Sequence, residues 1–370
     1  MLNGSDPSHD VMRIVAHNGA LIWGGAERAT VSLLKGLSER GHDVLLLCNQ
    51  ELVAREAVRR GVPSQICVLG GDVMLHHALR LSQLLKSAQP DAFIVGTYKK
   101  LFLAAAAARM ARVPRVIARV GLESDTPRSF KYRIALRRWT DGVVVNGSRM
   151  ATPFAGLDGF GAEKVKLILN SVESPMDAGS SDRVRKELGI APDEFVIGTV
   201  ARLAKQKRID RLIRVVSLLP GVQCIIAGDG TSRAQLQSLA TDLNVADRIR
   251  FLGNRDDVSD VIDALDVFVL VSDSEGMSNA MLEAMSRGKA VVSTDVSGAR
   301  DALSPEGDYA AAGIVTGFDE ASIAQAIDTL RNDATMRESL GTAGRVRAAT
   351  QFSRDAMLSE WEEFLVPRPL

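Results

Sequence analysis

The chain alternates short β-branched segments with amphipathic segments of helical length, in two successive series. The first series contains RIVAH (13–17), DVLLLC (43–48), AFIVG (92–96), RVIARV (115–120) and VVVNG (143–147). The second contains FVIGTVA (195–201), QCIIAGDG (223–230), IRFLG (249–253), VFVLVS (267–272) and AVVSTDV (290–296). Such alternation predicts parallel sheets covered by helices on both faces. Two series within 370 residues, more than one hydrophobic core usually spans, predict two doubly wound α/β domains.

A linker is predicted where the first series ends, within LILNSVESPMDAGSSDR (167–183). Pro175, Gly179 and three serines favour turns there. We therefore predict an N-terminal domain over residues 1–172 and a C-terminal domain over residues 173–351. The last segment, 352–370, is predicted to form a helix with Ser353 as its N-cap. Its apolar stripe must dock on another part of the protein, and the stripe consists of Met357, Leu358, Trp361, Phe364 and Leu365.

Cysteine content and hydropathy indicate a cytoplasmic protein. Cys48, Cys67 and Cys224 lie far apart and show no CxxC spacing, so we expect buried thiols rather than disulfides or a zinc site. Residues 1–10 are polar, which does not fit a signal peptide, and no segment approaches the roughly 18 to 20 apolar residues of a membrane span.

A net charge of zero conceals an uneven distribution of charge. Residues 1–172 carry a net charge of +9 and the remainder −9, and residues 99–149 alone carry +9. Within that basic block, SFKYRIALRRW (129–139) mixes apolar and basic side chains at a spacing that suits a helix on an anionic membrane surface. The apolar members are Phe130, Ile134 and Trp139. Packing of these side chains into the core, with solvated arginines, is the competing interpretation.

The loop SDSEGMSN and the helix that follows it predict a phosphate site, because ligands of doubly wound sheets bind at the carboxyl ends of the strands. Ser278 is a suitable N-cap, and it would leave the amides of Asn279, Ala280 and Met281 free at the positive end of the helix dipole. Glu283 would then reach a hydroxyl beside the phosphate. Glu275, in the loop, would reach a hydroxyl on the far side. The competing interpretation is an exposed turn followed by a solvated glutamate.

Two further loops add cations and glycines. Arg202 and Lys207, in ARLAKQKR, suit a diphosphate and would make a metal ion unnecessary. Gly24 and Gly25, in WGGAER, would let the backbone approach a ligand closely. A GxGxxG fingerprint is absent from the sequence, which argues against a dinucleotide-dependent oxidoreductase.

Together these motifs make the chain resemble the retaining glycosyltransferases of family 4, over nearly its whole length. The matching segments are GGAER, LILNSVES (with Ser171 where the family usually has Gly), ARLAKQKRID, AGDG with IRFLG, and SEGMSNAMLEAMSRGKAVVST, which matches the family's E-x7-E motif. The resemblance implies the GT-B fold, in which two Rossmann-like domains face each other and a C-terminal helix crosses back to the N-terminal domain. It also implies sugar transfer with retention from a nucleotide sugar, UDP first among the nucleotides, to a glycan or lipid-linked acceptor bound by the N-terminal domain.

The resemblance assigns roles to individual residues. Arg202, Lys207 and Glu275 would be catalytic: the two cations would hold the diphosphate, and Glu275 would bind the donor sugar. Glu283 would bind the ribose. The remaining donor contacts would come from Gly24, Gly25, Asn254, Arg255, Ser278, Asn279 and Ala280, with Asn254 and Arg255 near the base. Neither a cofactor, a metal nor a nucleic-acid partner is expected, and the basic block would allow peripheral contact with an anionic membrane.

One departure from the family concerns a histidine that many relatives carry in the N-terminal domain. None of the five histidines falls at its expected place, where the sequence reads GTYKK and RVGLE. Tyr98, Lys99, Arg119 and Glu123 are the candidates to replace it. Two other functions stay open on this fold, a nucleotide-sugar 2-epimerase and a catalytically inactive nucleotide-sugar-binding protein.

Overall fold

The computed structural model describes residues 11–71, 74–173, 181–304 and 310–367. Its first half forms a seven-stranded sheet in the order β3-β2-β1-β4-β5-β6-β7, and its neighbouring strands are parallel. These strands are β1 (Arg13–Asn18), β2 (Asp43–Cys48), β3 (Ser64–Ile66), β4 (Ala92–Val95), β5 (Arg115–Val120), β6 (Gly142–Val145) and β7 (Val165–Leu167). The helices of this half are α1 (Gly25–Glu39), α2 (Glu51–Arg59), α3 (Leu75–Ala88), α4 (Leu101–Met110), α5 (Phe130–Ile134) and α6 (Ser148–Ala155).

The second half forms a six-stranded parallel sheet in the order β10-β9-β8-β11-β12-β13. Its strands are β8 (Val196–Val200), β9 (Gln223–Ala227), β10 (Ile249–Gly253), β11 (Val267–Leu270), β12 (Ala290–Thr294) and β13 (Gly313–Thr316). Its helices are α7 (Ser181–Glu187), α8 (Ile209–Leu218), α9 (Arg233–Asp242), α10 (Val258–Asp263), α11 (Asn279–Ser286), α12 (Ser297–Leu303), α13 (Glu320–Asn332) and α14 (Ala334–Thr350). The prediction of two doubly wound α/β domains is confirmed.

All ten predicted strands are present within three residues of their predicted ends, because their apolar residues are buried on both faces of each sheet. Three strands were missed: β3, β7 and β13. Each lies at the edge of a sheet, and β3 and β7 have only three residues. Half of the predicted linker, residues 174–180, lies outside the described residues, so the predicted domain limits stay a prediction.

The C-terminal segment forms helix α15 (Arg354–Leu365), which packs on the first domain as expected. The hydroxyl of Ser353 caps it by accepting a hydrogen bond from the amide of Ala356 at 3.3 Å. Leu358, Trp361 and Phe364 lie in one hydrophobic cluster with residues of β1 and α1. Burial of such side chains stabilises the docked helix by roughly 1.5 to 3 kcal/mol each.

The basic segment forms a helix of two parts, an α-helical turn followed by a π-helical one. Helix α5 continues into a π-helical turn over Ala135–Trp139. Phe130 is 77% exposed, whereas Trp139 is half-buried and its ring lies 5.1 Å from that of Phe102. Trp139 therefore packs on the core, as the competing interpretation expects, whereas Phe130 faces solvent. Contact of this segment with an anionic membrane stays a prediction.

Candidate active site

The loop after β1 and the helix after β11 meet in the cleft between the two sheets. The side-chain amide of Asn279 donates a hydrogen bond to the carbonyl oxygen of Gly25 at 3.2 Å. A cavity of about 860 Å³ opens beside this contact, with walls formed by α1, residues 170–173, α11 and α15. Two parts of the chain that the sequence assigned to one ligand are thus in direct contact.

Helix α11 begins where the sequence predicted, and Ser278 is its N-cap. The hydroxyl of Ser278 accepts a hydrogen bond from the amide of Met281 at 3.4 Å. The expectation that the Met281 amide would be free is therefore wrong, because the cap satisfies it. The amides of Asn279 and Ala280 remain at the positive end of the helix dipole, where an anion is stabilised.

Asn170, in the linker, connects the two domains at this point. Its amide nitrogen donates to the carbonyl oxygen of Met277 at 3.0 Å and to the side-chain oxygen of Asn279 at 2.8 Å. Its own side-chain oxygen accepts from Asn146 at 3.3 Å and from Arg119 at 3.4 Å. The side chain is buried. Asn170 therefore fixes the orientation of Asn279, and with it the contact to Gly25.

The glycine of the SEGMSN motif is required by a close approach of the two domains. A Cβ atom on Gly276 would lie 2.0 Å from the side-chain oxygen of Asn146 and 2.7 Å from the carbonyl oxygen of Gly121. Both neighbours belong to the first domain. Any side chain at position 276 would hold the second domain away from the first.

Glu283 presents its carboxylate to the cavity, where none of the described residues pairs with it. It lies on the face of α11 that lines the cavity and is half-buried. Within the described parts of the chain, no side chain or backbone amide donates a hydrogen bond to it. Burial raises its pKa, and the positive charge of Arg28 on the opposite wall only partly offsets this effect. A desolvated carboxylate of this kind has a strong tendency to accept hydrogen bonds from a ligand.

Lys207 and Glu275 form an ion pair in the cleft. The ammonium group of Lys207, at the end of a 3₁₀ turn, donates to one carboxylate oxygen of Glu275, and the hydroxyl of Ser272 donates to the same oxygen at 2.8 Å. Glu275 is buried, with 6% of its surface exposed. The two residues that the sequence assigned to different parts of a ligand are therefore partners of each other.

Arg202 follows β8 and is exposed, and no carboxylate in the described residues lies within ion-pair distance of it. Its charge acts on Glu27, a buried residue of α1 in the other domain. Burial raises the pKa of Glu27, and the positive charges of Arg202 and Arg119 oppose this increase. A cation of the second domain thus faces the first domain across the cleft.

The residues predicted to contact a base differ in their availability. Asn254 is exposed. The guanidinium of Arg255 is bound by two carboxylates, with contacts of 2.6 and 3.0 Å to Glu187 and of 2.7 and 2.8 Å to Asp257. A contact between the Arg255 side chain and a base would therefore use its stacking face rather than its N–H groups.

Of the four candidates for the place of the family histidine, Arg119 lines the cavity. Tyr98 is buried, with its ring 4.8 Å from that of Tyr132. Glu123 lies 3.7 Å from Arg149, and Lys99 is exposed. The geometry therefore favours Arg119.

Sequence reasoning missed the roles of Asn170, Glu27 and Arg28. Asn170 and Glu27 stand in motifs that were recognised, NSVES and GGAER, but their partners are far away in the sequence. The contact between Asn170 and Asn279, for example, spans 109 residues. Only folding brings these side chains to one cleft.

Searches of the described residues for a metal site and for a membrane span gave no candidate. No three His, Cys, Asp or Glu side chains among them lie close enough to hold a metal ion. Likewise, none of the described helices is long and apolar enough to cross a bilayer. Cys48, Cys67 and Cys224 are buried and free, as expected.

Two family models match consecutive parts of the chain. Residues 23–174 match the model described as glycosyltransferase family 4, and residues 180–347 match the model described as glycosyl transferases group 1. The first match covers six of the seven strands of the first sheet, β2 to β7, and the second covers all six strands of the second sheet. The second match contains Arg202, Lys207, Glu275 and Glu283.

Individual relatives agree with this assignment. The lipopolysaccharide core biosynthesis glycosyltransferase LpsE of Rhizobium meliloti is 28% identical over 359 residues, which cover 94% of this chain and 97% of LpsE. The capsular polysaccharide biosynthesis glycosyltransferase CapM of Staphylococcus aureus is 27% identical, over 78% of this chain and 79% of CapM. A crystal structure of Anabaena HepE in complex with UDP and glucose has a TM-score of 0.83 at 23% identity, covering 96% of this chain and 99% of that one.

The structural likeness establishes the GT-B fold, with two facing parallel-sheet domains and a helix that returns to the first of them. The two family models together include α1, residues 170–173 and α11, which line the cavity from both domains. This chain belongs to the group 1 glycosyltransferases of family 4.

Proposed function

We propose that the protein transfers a sugar from a nucleotide-sugar donor, preferably a UDP-sugar, to a glycan or lipid-linked acceptor, with retention at the anomeric carbon and without a metal ion. The observation that carries the proposal is the solitary carboxylate of Glu283. It faces a cavity of about 860 Å³, and the uncapped amides of Asn279 and Ala280 lie one turn away on the same helix. A ribose whose hydroxyls donate to the carboxylate of Glu283, and a phosphate that accepts from the amides of Asn279 and Ala280, would supply the hydrogen bonds that these groups can make.

Cations on the neighbouring loop would hold the diphosphate. Arg202 offers a guanidinium that pairs with no carboxylate of the described residues, and Lys207 offers an ammonium group that is bound to Glu275. The diphosphate would draw Lys207 towards it, since its two phosphates together carry two negative charges against the one of the Glu275 carboxylate. The carboxylate of Glu275 would then accept a hydrogen bond from a hydroxyl of the donor sugar. The ion pair thus keeps both side chains ready in a desolvated position before the donor arrives.

In the reaction, the bond between the anomeric carbon and the phosphate oxygen breaks, and a bond from the acceptor oxygen to that carbon forms. The acceptor proton passes to the departing phosphate. Negative charge grows on the diphosphate as it leaves, so Arg202, Lys207 and the amides at the start of α11 stabilise the transition state more than the substrate. Retention follows when the proton transfer and the attack occur on the face that the phosphate leaves.

The comparisons support UDP and a glycan acceptor. HepE is known in complex with UDP and glucose, and also with UDP-glucose. LpsE and CapM are named for the biosynthesis of lipopolysaccharide core and capsular polysaccharide. We therefore place the acceptor in the first domain, where Arg133, Arg137 and Arg138 are exposed beside Phe130. This basic surface would bring the enzyme to an anionic membrane or to an anionic glycan.

The decisive experiment incubates the purified protein with a panel of UDP-sugars and lipopolysaccharide core oligosaccharides in EDTA. Transfer is expected in the presence of EDTA, with the anomeric configuration of the donor retained by proton NMR of the product. Abolition of transfer by EDTA and its restoration by Mn²⁺ would refute metal independence. Conversion of a UDP-sugar into its 2-epimer without acceptor would show an epimerase instead. Binding of UDP-sugar without either reaction would identify an inactive binding protein.

A further inference from the structure

We propose that Arg119 forms an oxyanion subsite on the N-terminal wall of the cleft and binds a phosphate group beside the start of α11. The inference deepens the proposed function, and it rests on that function only for the source of the phosphate. The donor diphosphate and a phosphate on the acceptor are the two sources that the cleft would admit.

The position of Arg119 follows from the sheet. It is the fifth of the six residues of β5, so its side chain emerges at the carboxyl end of a strand inside the first sheet. The side chain lines the cavity together with Asn170 and Asn279. Two hydrogen bonds, from Arg119 to Asn170 and from Asn170 to Asn279, connect it with the first residue of α11.

The guanidinium of Arg119 is held by neutral groups. It donates to the hydroxyl oxygen of Thr30 at 2.8 Å and to the side-chain oxygen of Asn170 at 3.4 Å. Most of its five N–H groups therefore have no acceptor among the described residues, and no carboxylate there lies within 4.0 Å of it. The two contacts orient the planar group without neutralising it, as a bidentate oxyanion site requires.

The electrostatic environment favours an incoming anion. Burial lowers the pKa of Arg119 to about 10, so the group is still charged at neutral pH. Glu27 is the one carboxylate that acts on it appreciably, and Glu27 also faces Arg202. One acidic group between two arginines leaves a net positive charge. In a partly desolvated cleft such a charge attracts an oxyanion more strongly than it would in water.

The chain offers a matched control on the same strand. Arg115 is buried, whereas Arg119 is half-buried, and the guanidinium of Arg115 donates to the carbonyl oxygen of Phe364 in α15, at 2.9 and 3.0 Å. Replacement of either arginine by glutamine removes a cation from β5. Only Arg119 lines the cavity. If weakened packing lowers the affinity for phosphate, the affinity should fall in both variants. If the oxyanion subsite is lost, the affinity should fall only when Arg119 is replaced.

The test measures binding of inorganic phosphate, and then of UDP, by calorimetry at low ionic strength. We expect saturable phosphate binding to the wild-type protein, at least tenfold weaker binding to Arg119→Gln, and unchanged binding to Arg115→Gln. Arg119→Lys keeps the positive charge but loses the planar guanidinium, so its affinity for phosphate should lie between those of the wild type and Arg119→Gln. It replaces the glutamine variant in the test if that variant does not fold. Equal phosphate affinity in wild type and both Arg119 variants would overturn the proposal.

The UDP measurements identify the source of the phosphate. If Arg119→Gln also weakens UDP binding and UDP displaces phosphate, Arg119 holds the donor diphosphate. If UDP binding is unchanged and UDP-saturated protein still binds phosphate through Arg119, the subsite receives a phosphate of the acceptor. Phosphate binding that depends on Arg119 in a protein without transferase activity would refute the proposed function and leave the subsite intact.

Discussion

Replacing Glu283 by glutamine should stabilise the protein in the absence of nucleotide while weakening its binding of UDP. The carboxylate is half-buried, lines the cavity and accepts no hydrogen bond from the described residues. Its charge is therefore a cost to the folded state that a bound ribose would offset. Glutamine has nearly the same shape as glutamate and no charge. The variant therefore removes the cost of the half-buried charge, and with it the charge that would strengthen the hydrogen bonds to a bound ribose.

The expected magnitudes follow from the kind of contact. A hydrogen bond to a charged group is worth about 1 kcal/mol more than a neutral one, so two ribose hydroxyls give roughly 2 kcal/mol, or about 30-fold in Kd. Stabilisation on removing one unfavourable feature of a functional site is about 0.5 to 2 kcal/mol. The two effects have opposite signs, which distinguishes them from general damage to the fold.

The pH dependence gives a second check. Burial raises the pKa of Glu283 above its ordinary value of 4.5, so the folded state favours the protonated form. The wild type should therefore be less stable than Glu283→Gln above the raised pKa. The difference should fade as the pH falls from that value towards 4.5, because the wild type becomes neutral in the folded state first.

Scanning calorimetry across this pH range, together with titration of UDP at neutral pH, would measure both quantities. Glu338→Gln is the control, since Glu338 is an exposed residue of α14 and its replacement should change neither quantity. A Glu283→Gln variant that binds UDP as tightly as the wild type, or that is less stable in its absence, would refute the reasoning.

Three further predictions concern the loop residues of the cleft and the basic surface of the first domain. Arg202→Ala and Lys207→Ala should each lower kcat about 100- to 1000-fold, since each removes a contact to charge that grows in the transition state; unchanged turnover in steady-state assays would exclude both assignments. Glu275→Gln should leave UDP affinity unchanged but raise KM for the UDP-sugar, because Glu275 is assigned to the sugar alone; an equal loss for UDP would show that it instead holds Lys207 for the diphosphate. The protein should sediment with vesicles that contain anionic lipid, since each basic residue near the membrane surface contributes about 1 kcal/mol to binding. This binding should be lost in high salt and in the double variant Arg137→Glu, Arg138→Glu. Equal binding to neutral vesicles would contradict the electrostatic basis of this surface.

The fold was predictable because its signals are local. Strands of a doubly wound sheet are buried on both faces and appear in the sequence as short apolar segments, such as DVLLLC. The same logic explains the omissions: β3 pairs with one neighbour only, has three residues and contains Ser64 and Gln65, so it carries no hydrophobic pattern. The apolar stripe of α15 predicted that this helix docks on another part of the protein. Only the family resemblance identified that part as the first domain.

The pairings within the site were not predictable from local patterns. The sequence indicates that Lys207 and Glu275 share a cleft, but their ion pair depends on the distance between the loops after two adjacent strands, β8 and β11. The same holds for Glu283: that none of the described residues donates a hydrogen bond to it depends on which side chains surround it in the folded protein. Asn170 shows the limit most clearly, because an amide in a linker carries no charge or periodicity that would mark it as the hydrogen-bond partner of three side chains and one carbonyl group.

The return of α15 to the first domain also sets the order in which the protein can mature during synthesis. Leu358, Trp361 and Phe364 complete a cluster whose other members, such as Ile14 and Leu37, leave the ribosome more than 300 residues earlier. At roughly 5 to 20 residues per second, that cluster stays uncovered for about 15 to 65 s. The nascent first domain is therefore an obvious client for chaperones, and a translation pause late in the message would prolong its exposure.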